Sequence, residues 1–223
     1  MAKKSTIRRG SFGRGLALSL AGIRAGGAFA VGSAVQRLRG QEDDGQLLAR
    51  EARRFTAELG RLKGSYVKIG QMLAMLGEHF LPPQLTDALH DLESQTQPLP
   101  WEELEPSVRA GLGKRLGELE LDESPLAAAS LAQVHRARCR SGGQDMVLKI
   151  QYPGLAEVID DDFDAVMRML LLARWIKAGR EFDEWMRDLR VQLHHEIDYP
   201  RELAMTREAR QRLQVLRADD VYH

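Results

Sequence analysis

From Leu48 onward, apolar residues fall at Leu48, Ala52, Phe55, Leu59, Leu62, Tyr66, Ile69, Leu73 and Leu76, in alternating steps of three and four. That spacing keeps one helical face apolar for more than four turns and predicts a single long amphipathic helix. At about 100° per residue, Gly64, Lys68, Gln71 and Met75 make a second stripe, turned well away from the first. Leu81-Pro82-Pro83 ends the element, because proline lacks an amide donor and biases its predecessor out of helix. Pro83 then opens a short helix through Leu92. Residues 95–100 read as a loop, and Trp101 to Leu116 as a further helix weakened by Gly111 and Gly113.

Between Pro125 and Tyr152 the period shortens to two. The stretch around Val134, Arg136 and Arg138, a turn rich in Gly142 and Gly143, and the run Met146 to Tyr152 predict a β-hairpin. Pro125 to Ser130 is either a third antiparallel strand or the loop feeding the hairpin. Helical spacing returns after Pro153-Gly154, in three elements. The first carries Phe163, Val166, Met167, Leu170, Leu171 and Trp175; the second runs from Phe182 to Leu193 and the third from Leu203 to Leu216. Asp160, Asp161 and Asp162 are read as favourable charge at the start of the first. Helices, then a small antiparallel sheet, then helices describe an α+β chain.

Composition narrows this further. The 223 residues are 43% hydrophobic and 29% charged, which excludes a disordered or collagenous chain, and 6% aromatic, which argues against an all-β sandwich. One cysteine, Cys139, excludes an internal disulfide and suits a reducing cytoplasm. The net charge of zero conceals an asymmetry. Residues 1–40 hold eight Lys and Arg and no Asp or Glu, leaving the remainder with 24 basic against 32 acidic residues. Such an arm either lies on anionic lipid, touches nucleic acid, or stays mobile. Its paucity of aromatics disfavours nucleic acid as a partner, and its apolar runs are far shorter than the ~20 residues that span a bilayer.

Lys149 sits in the apolar strand Val147-Leu148-Lys149-Ile150. Burying an unpaired ammonium is costly, so this lysine either reaches water or meets an anion. Kinase-type sites use a strand lysine to hold nucleotide phosphates, with a helix glutamate fixing it. His194-His195-Glu196 lacks the spacing of a zinc-binding helix, and no metal site is expected there. Glu196 and Asp198 point about 200° apart on a helix; only at a helix end or turn can both approach Lys68 or Gln71. Otherwise they form a solvated, capping acidic pair.

Four motifs in order resemble the UbiB/AarF type of atypical kinase-like family, which is tied to coenzyme Q biosynthesis. Lys68-Ile69-Gly70-Gln71 is similar to its K-x-G-Q element. Ala127-Ala128-Ala129-Ser130, running into Leu131 to His135, is similar to its alanine-rich nucleotide loop. Val147 to Gly154 carries the strand lysine and a trailing Pro-Gly, and Glu196-Ile197-Asp198 followed by Glu202 is similar to its E-x-D element and helix glutamate. With the basic, Gly/Ala-rich arm read from its charge over residues 1–44, the resemblance implies a helical extension over 45–120 and a kinase-like N-lobe over 121–223.

It also implies nucleotide binding by Ala127, Ala128, Ala129, Ser130, Lys149 and Glu202. A regulatory set would comprise Lys68, Gly70, Gln71, Glu196 and Asp198, docked over the cleft. ATP with Mg2+ is the implied cofactor. Implied partners are nucleotide, anionic membrane lipid through residues 1–40, and quinone-biosynthesis proteins, at a cytoplasmic site against the inner membrane.

Phosphoryl transfer by such a site needs a catalytic-loop Asp, a metal-binding Asn and the Asp of D-F-G. Only 74 residues follow Lys149, the sequence has no asparagine, and Phe163 stands in Asp162-Phe163-Asp164. The expectation is an N-terminal extension and N-lobe without the C-lobe, holding no complete catalytic set and inactive alone. Two functions fit: the N-terminal half of an ATP-binding kinase-like or ATPase-like protein, or a non-catalytic, membrane-peripheral pseudokinase-like binding module.

Overall fold

The computed structural model describes residues 44–75, 79–94, 98–176 and 179–219; the basic arm of residues 1–40 lies outside them. The expected α+β order holds. Helices α1 (Asp44–Leu62), α2 (Ser65–Ala74), α3 (Pro83–His90) and α4 (Trp101–Leu112) precede strands β1 (Leu119–Ala128), β2 (Ala132–Cys139) and β3 (Asp145–Gln151). Helices α5 (Leu155–Leu172), α6 (Arg180–His195) and α7 (Tyr199–Asp219) follow. Among the described residues no helix is long and apolar enough to cross a membrane.

The single long helix expected from Leu48 to Leu76 is two. Lys63 and Gly64 both take positive φ, and Gly64, at φ 61° and ψ −130°, adopts a conformation that side chains other than glycine's rarely reach. The Lys63 amide still closes on the Leu59 carbonyl, and α2 starts afresh at Ser65. The apolar stripe survives the break because both helices face the same core: Phe55, Leu59, Tyr66, Ile69 and Leu73 are all buried. The second stripe does not survive whole. Gly64 belongs to the break and Met75 is 85% exposed, which leaves Lys68 and Gln71 on a shared face.

Leu85, Leu89 and Leu92 from α3 and its 3-10 extension join that core, together with Ile159, Phe163, Val166 and Leu170 of α5 and Leu193 of α6. Each such side chain contributes about 1.5–3 kcal/mol by leaving water. Gly70 allows the closest approach. A Cβ there would run into Leu92 Cδ1 and lie 3.1 Å from Leu59 Cδ1.

The sheet is a meander in the order β1-β2-β3, antiparallel throughout. Pro125 to Ala128 is therefore strand, at the end of a β1 that starts six residues earlier than Pro125 and is bulged around it. Val134 pairs with Lys149 on one side and Ala127 on the other, so these three share one face; Gln133, paired with Ile150, takes the opposite face. That opposite face packs against Leu104 and Val108 of α4. It is also locked by hydrogen bonds: the Leu99 amide donates to Gln133 Oε1 at 2.9 Å, and the Gln133 side-chain amide lies 2.9 Å from His135 Nε2. With His135 Nε2 accepting, its Nδ1–H donates to the Asp122 carbonyl at 2.8 Å.

Helix α5 starts at Leu155, after Gly154 in the left-handed region at φ 76°. Asp160 to Asp162 consequently lie beyond its first turn rather than at its N-terminus, and Asp160 and Asp162 have other partners. Asp160 takes Arg190 at 2.6 Å and His194 at 3.1 Å from α6, Asp164 takes the other arm of Arg190, and the guanidinium lies 4.7 Å from the Phe163 ring. Hydrogen bonds from Arg190 and His194 hold the Asp160 carboxyl below its ordinary range. Asp162 is buried and accepts a short hydrogen bond from Ser65, the first residue of α2.

Candidate phosphate-binding cleft

The turn between α6 and α7 brings the acidic motif to the sheet. Ile197 packs against both apolar clusters, and its carbonyl accepts from the side-chain amide of Gln151 at 3.3 Å. Anchored there, Glu196 and Tyr199 point into a cavity of about 410 Å³ lined also by Lys68, Gln71, Ala128 to Ala132 and Lys149. A larger groove of about 470 Å³, between α4, β3 and the start of α5, shares only Lys149 and Tyr199 with it. The smaller cavity gathers more of the candidate residues, so chemistry rather than volume singles it out.

Two ion pairs frame it. Lys68 Nζ lies 2.8 Å from Glu196 Oε1, and Lys149 Nζ donates to both carboxylate oxygens of Glu202, at 2.9 and 2.7 Å. Lys68 is the more enclosed of the two lysines, 21% exposed against 47% for Lys149. Lys149 also sits 4.9 Å from the centroid of the Tyr199 ring. Burial, with Glu202 adding to it, pushes the Tyr199 phenol up to about 12, so the ring is neutral at physiological pH.

Ala128, Ala129 and Ser130 line the cavity, whereas Ala127 lies on the exposed part of β1. The loop after them is tight, with the Ala129 amide donating to the Ala132 carbonyl at 2.8 Å, and none of the four takes a positive φ. Gly70 faces the helical core, not the cavity. Asp198 caps α7, accepting from the Arg201 amide at 3.0 Å, while Glu196 alone reaches Lys68. The turn therefore splits the acidic pair, as two side chains one residue apart must when one of them is committed to a helix start.

Three residues that stand within the motifs but were not expected to line the site do so. Leu131 and Ala132 complete the wall, and Tyr199 supplies its aromatic face. Tyr199 was legible as the aromatic residue directly after the acidic motif. The Ser65–Asp162 bond that fixes the start of the Lys68 helix carried no signal, because its partners are 97 residues apart.

Chemically, the cleft can present to an anionic group two lysines, each paired with a carboxylate, of which Lys68 is the more enclosed. It does not fit a magnesium ion. Among the described residues, Glu196 is the only carboxylate lining it and is bound to Lys68, and no group of three or more potential ligands occurs.

Comparison with known proteins agrees with this arrangement of motifs. Residues 91–221 match the ABC1 atypical kinase-like domain. The chain belongs to the ABC1 atypical kinase-like family. The UbiB/AarF resemblance read from the four motifs is borne out, and the small antiparallel sheet with its helices is consistent with a kinase-like N-lobe.

"Atypical kinase COQ8, mitochondrial" of Schizosaccharomyces pombe is 33% identical over 180 residues, covering 78% of this chain and 30% of its own length. The Saccharomyces cerevisiae protein of the same name is 34% identical over 169 residues, covering 75% and 33%. "Atypical kinase COQ8B, mitochondrial" of Danio rerio is 33% identical over 175 residues, covering 77% and 27%. The ABC1-family chain thus spans about a third of the length of the curated relatives it matches. A solved structure of the Rv3197–erythromycin complex from Mycobacterium tuberculosis is 27% identical, covers 70% of this chain and 40% of that one, and has a TM-score of 0.38, too low to bear on the arrangement described.

Proposed function

We propose that residues 44–219 form the phosphate-holding wall of a nucleotide site in a kinase-like protein that supports coenzyme Q biosynthesis. The observation that carries this reading is the forked contact of Lys149 with Glu202, on a cavity also walled by the loop from Ala128 to Ala132. A strand lysine held by a helix carboxylate beside a small-residue loop is how kinase-like folds aim an ammonium at phosphate oxygens. The quinone assignment is supported by the COQ8 relatives.

In this reading ATP phosphates approach Lys149 past the Ala128 to Ser130 edge, and Lys68 stands on the far wall. The lack of positive φ in the loop means its amides are presented less freely than those of a glycine-rich loop, so affinity is expected to be modest. No step through a metal is assigned to these residues, since the donors around the cavity do not suit one.

Titration calorimetry of the 223-residue chain with ATP tests the proposal. Lys149→Ala is expected to weaken binding at least tenfold, and Glu202→Gln by less, because the amide still contacts the lysine. Hydrolysis with added Mg2+ is expected to stay at the level of the Lys149→Ala control. Equal ATP affinity in wild type and Lys149→Ala would defeat the reading.

A further inference from the structure

Lys149 has two partners of unequal exposure. Glu202 is 52% exposed and stands on the part of α7 where residues 201–214 are all exposed. Exposed ion pairs of this kind constrain a lysine weakly. The Tyr199 ring is different: it is the first residue of α7, half-buried, and follows a turn pinned by Ile197 in both apolar clusters. Its face lies 4.9 Å from the ammonium and lines the same cavity.

From this geometry we infer that Tyr199 is a positioning residue, whose ring face, beside the Glu202 carboxylate, holds the Lys149 ammonium toward the cleft. The attraction is between the cation and the negative face of the ring. A neutral ring suits this role better than a second carboxylate, because it does not compete with the phosphate for the hydrogen-bond donors of the ammonium. The raised phenol keeps the ring neutral across the working pH range. The ligand in this inference rests on the nucleotide reading above; the hold on Lys149 does not.

The test uses the 223-residue chain with two readouts: side-chain order at Lys149 Cε from 13C relaxation without ligand, and ATP affinity with Lys149→Ala as baseline. Tyr199→Met fills the half-buried space without a ring. It is expected to loosen Lys149 and to weaken ATP about two- to fivefold, the range set by an exposed cation–π contact. Tyr199→Phe keeps the ring and is expected to recover wild-type order and affinity.

The inference is overturned if Tyr199→Met leaves Lys149 as ordered as in wild type, or if Tyr199→Phe loosens it as much as Met does. Unchanged ATP affinity in Tyr199→Met, alongside a large loss in Lys149→Ala, also overturns it. Should Tyr199→Met not fold, Tyr199→Leu replaces it, and failure of Tyr199→Phe to match wild type remains decisive. If Lys149 loosens as expected while ATP affinity ignores even Lys149→Ala, the positioning stands and the nucleotide reading falls.

Discussion

The helical layer and the sheet side of this ABC1-family chain solve different problems. In the layer built from α1, α2, α3, α5 and α6, large residues such as Leu59, Leu85, Leu89, Ile159 and Leu170 are fully buried. On the other side, β3 exposes Val147, and α7 exposes Leu203, Met205 and Leu213. Stability is concentrated in the layer, and the charged groups of the cleft hang from it by short links, the Ser65–Asp162 bond and the Ile197 turn. The lesson is that a polar cleft can be held accurately by residues that contribute little to stability, provided a well-packed neighbour fixes their backbones.

The contrast is broken most directly in the core. Leu59→Ala is expected to cost about 2–5 kcal/mol, because a fully buried leucine leaves a cavity its neighbours fill only in part. Chemical denaturation checks it. A cost under 1 kcal/mol would mean the layer is not where stability resides. Next comes Gly70→Ala, for which overpacking against Leu92 and Leu59 is expected to cost about 1–3 kcal/mol. Alanine is otherwise the better helix former, by about 1 kcal/mol, so a stabilised variant would refute close packing at the motif glycine.

The links between the two regions give smaller, more diagnostic effects. A double-mutant cycle of Lys68→Ala with Glu196→Ala is expected to show coupling of roughly 0.5–1 kcal/mol, since the pair is only partly exposed. The matching cycle with Asp198→Ala should be additive within about 0.5 kcal/mol, although Asp198→Ala alone costs about 1 kcal/mol as a lost helix cap. Equal coupling in both cycles would place the two carboxylates together on Lys68. Smallest of all, Val147→Thr on the bare sheet face should stay within about ±0.5 kcal/mol by thermal melting.

Much of this architecture was legible in local sequence because its causes are local. The period-two run from Ala132 to Gln151 and its Gly142-Gly143 turn specify a hairpin wherever they occur. The apolar stripe of Phe163, Val166 and Leu170 likewise specifies a helix with one buried face. The break at Lys63-Gly64 was not legible, because the stripe runs through it in phase and only the backbone angles reveal the turn. The aspartates 160–162 misled for a related reason: acidic residues suit a helix start, but Gly154 had already begun the helix eight residues before Asp162.

In the cleft, sequence alone determined which residues carry charge and that Lys149 either reaches water or meets an anion, since an unpaired ammonium is costly to bury. It also determined that Glu196 and Asp198 cannot serve one ligand from within a helix. Only the tertiary structure decided that Glu196 meets Lys68 while Asp198 caps α7, that Gly70 serves packing, and that Tyr199 stands beside Lys149. The reason is distance along the chain. Glu196 lies 128 residues from Lys68 and Tyr199 50 from Lys149, and such pairings are set by how α2, β3 and α7 dock, not by any spacing a linear sequence displays.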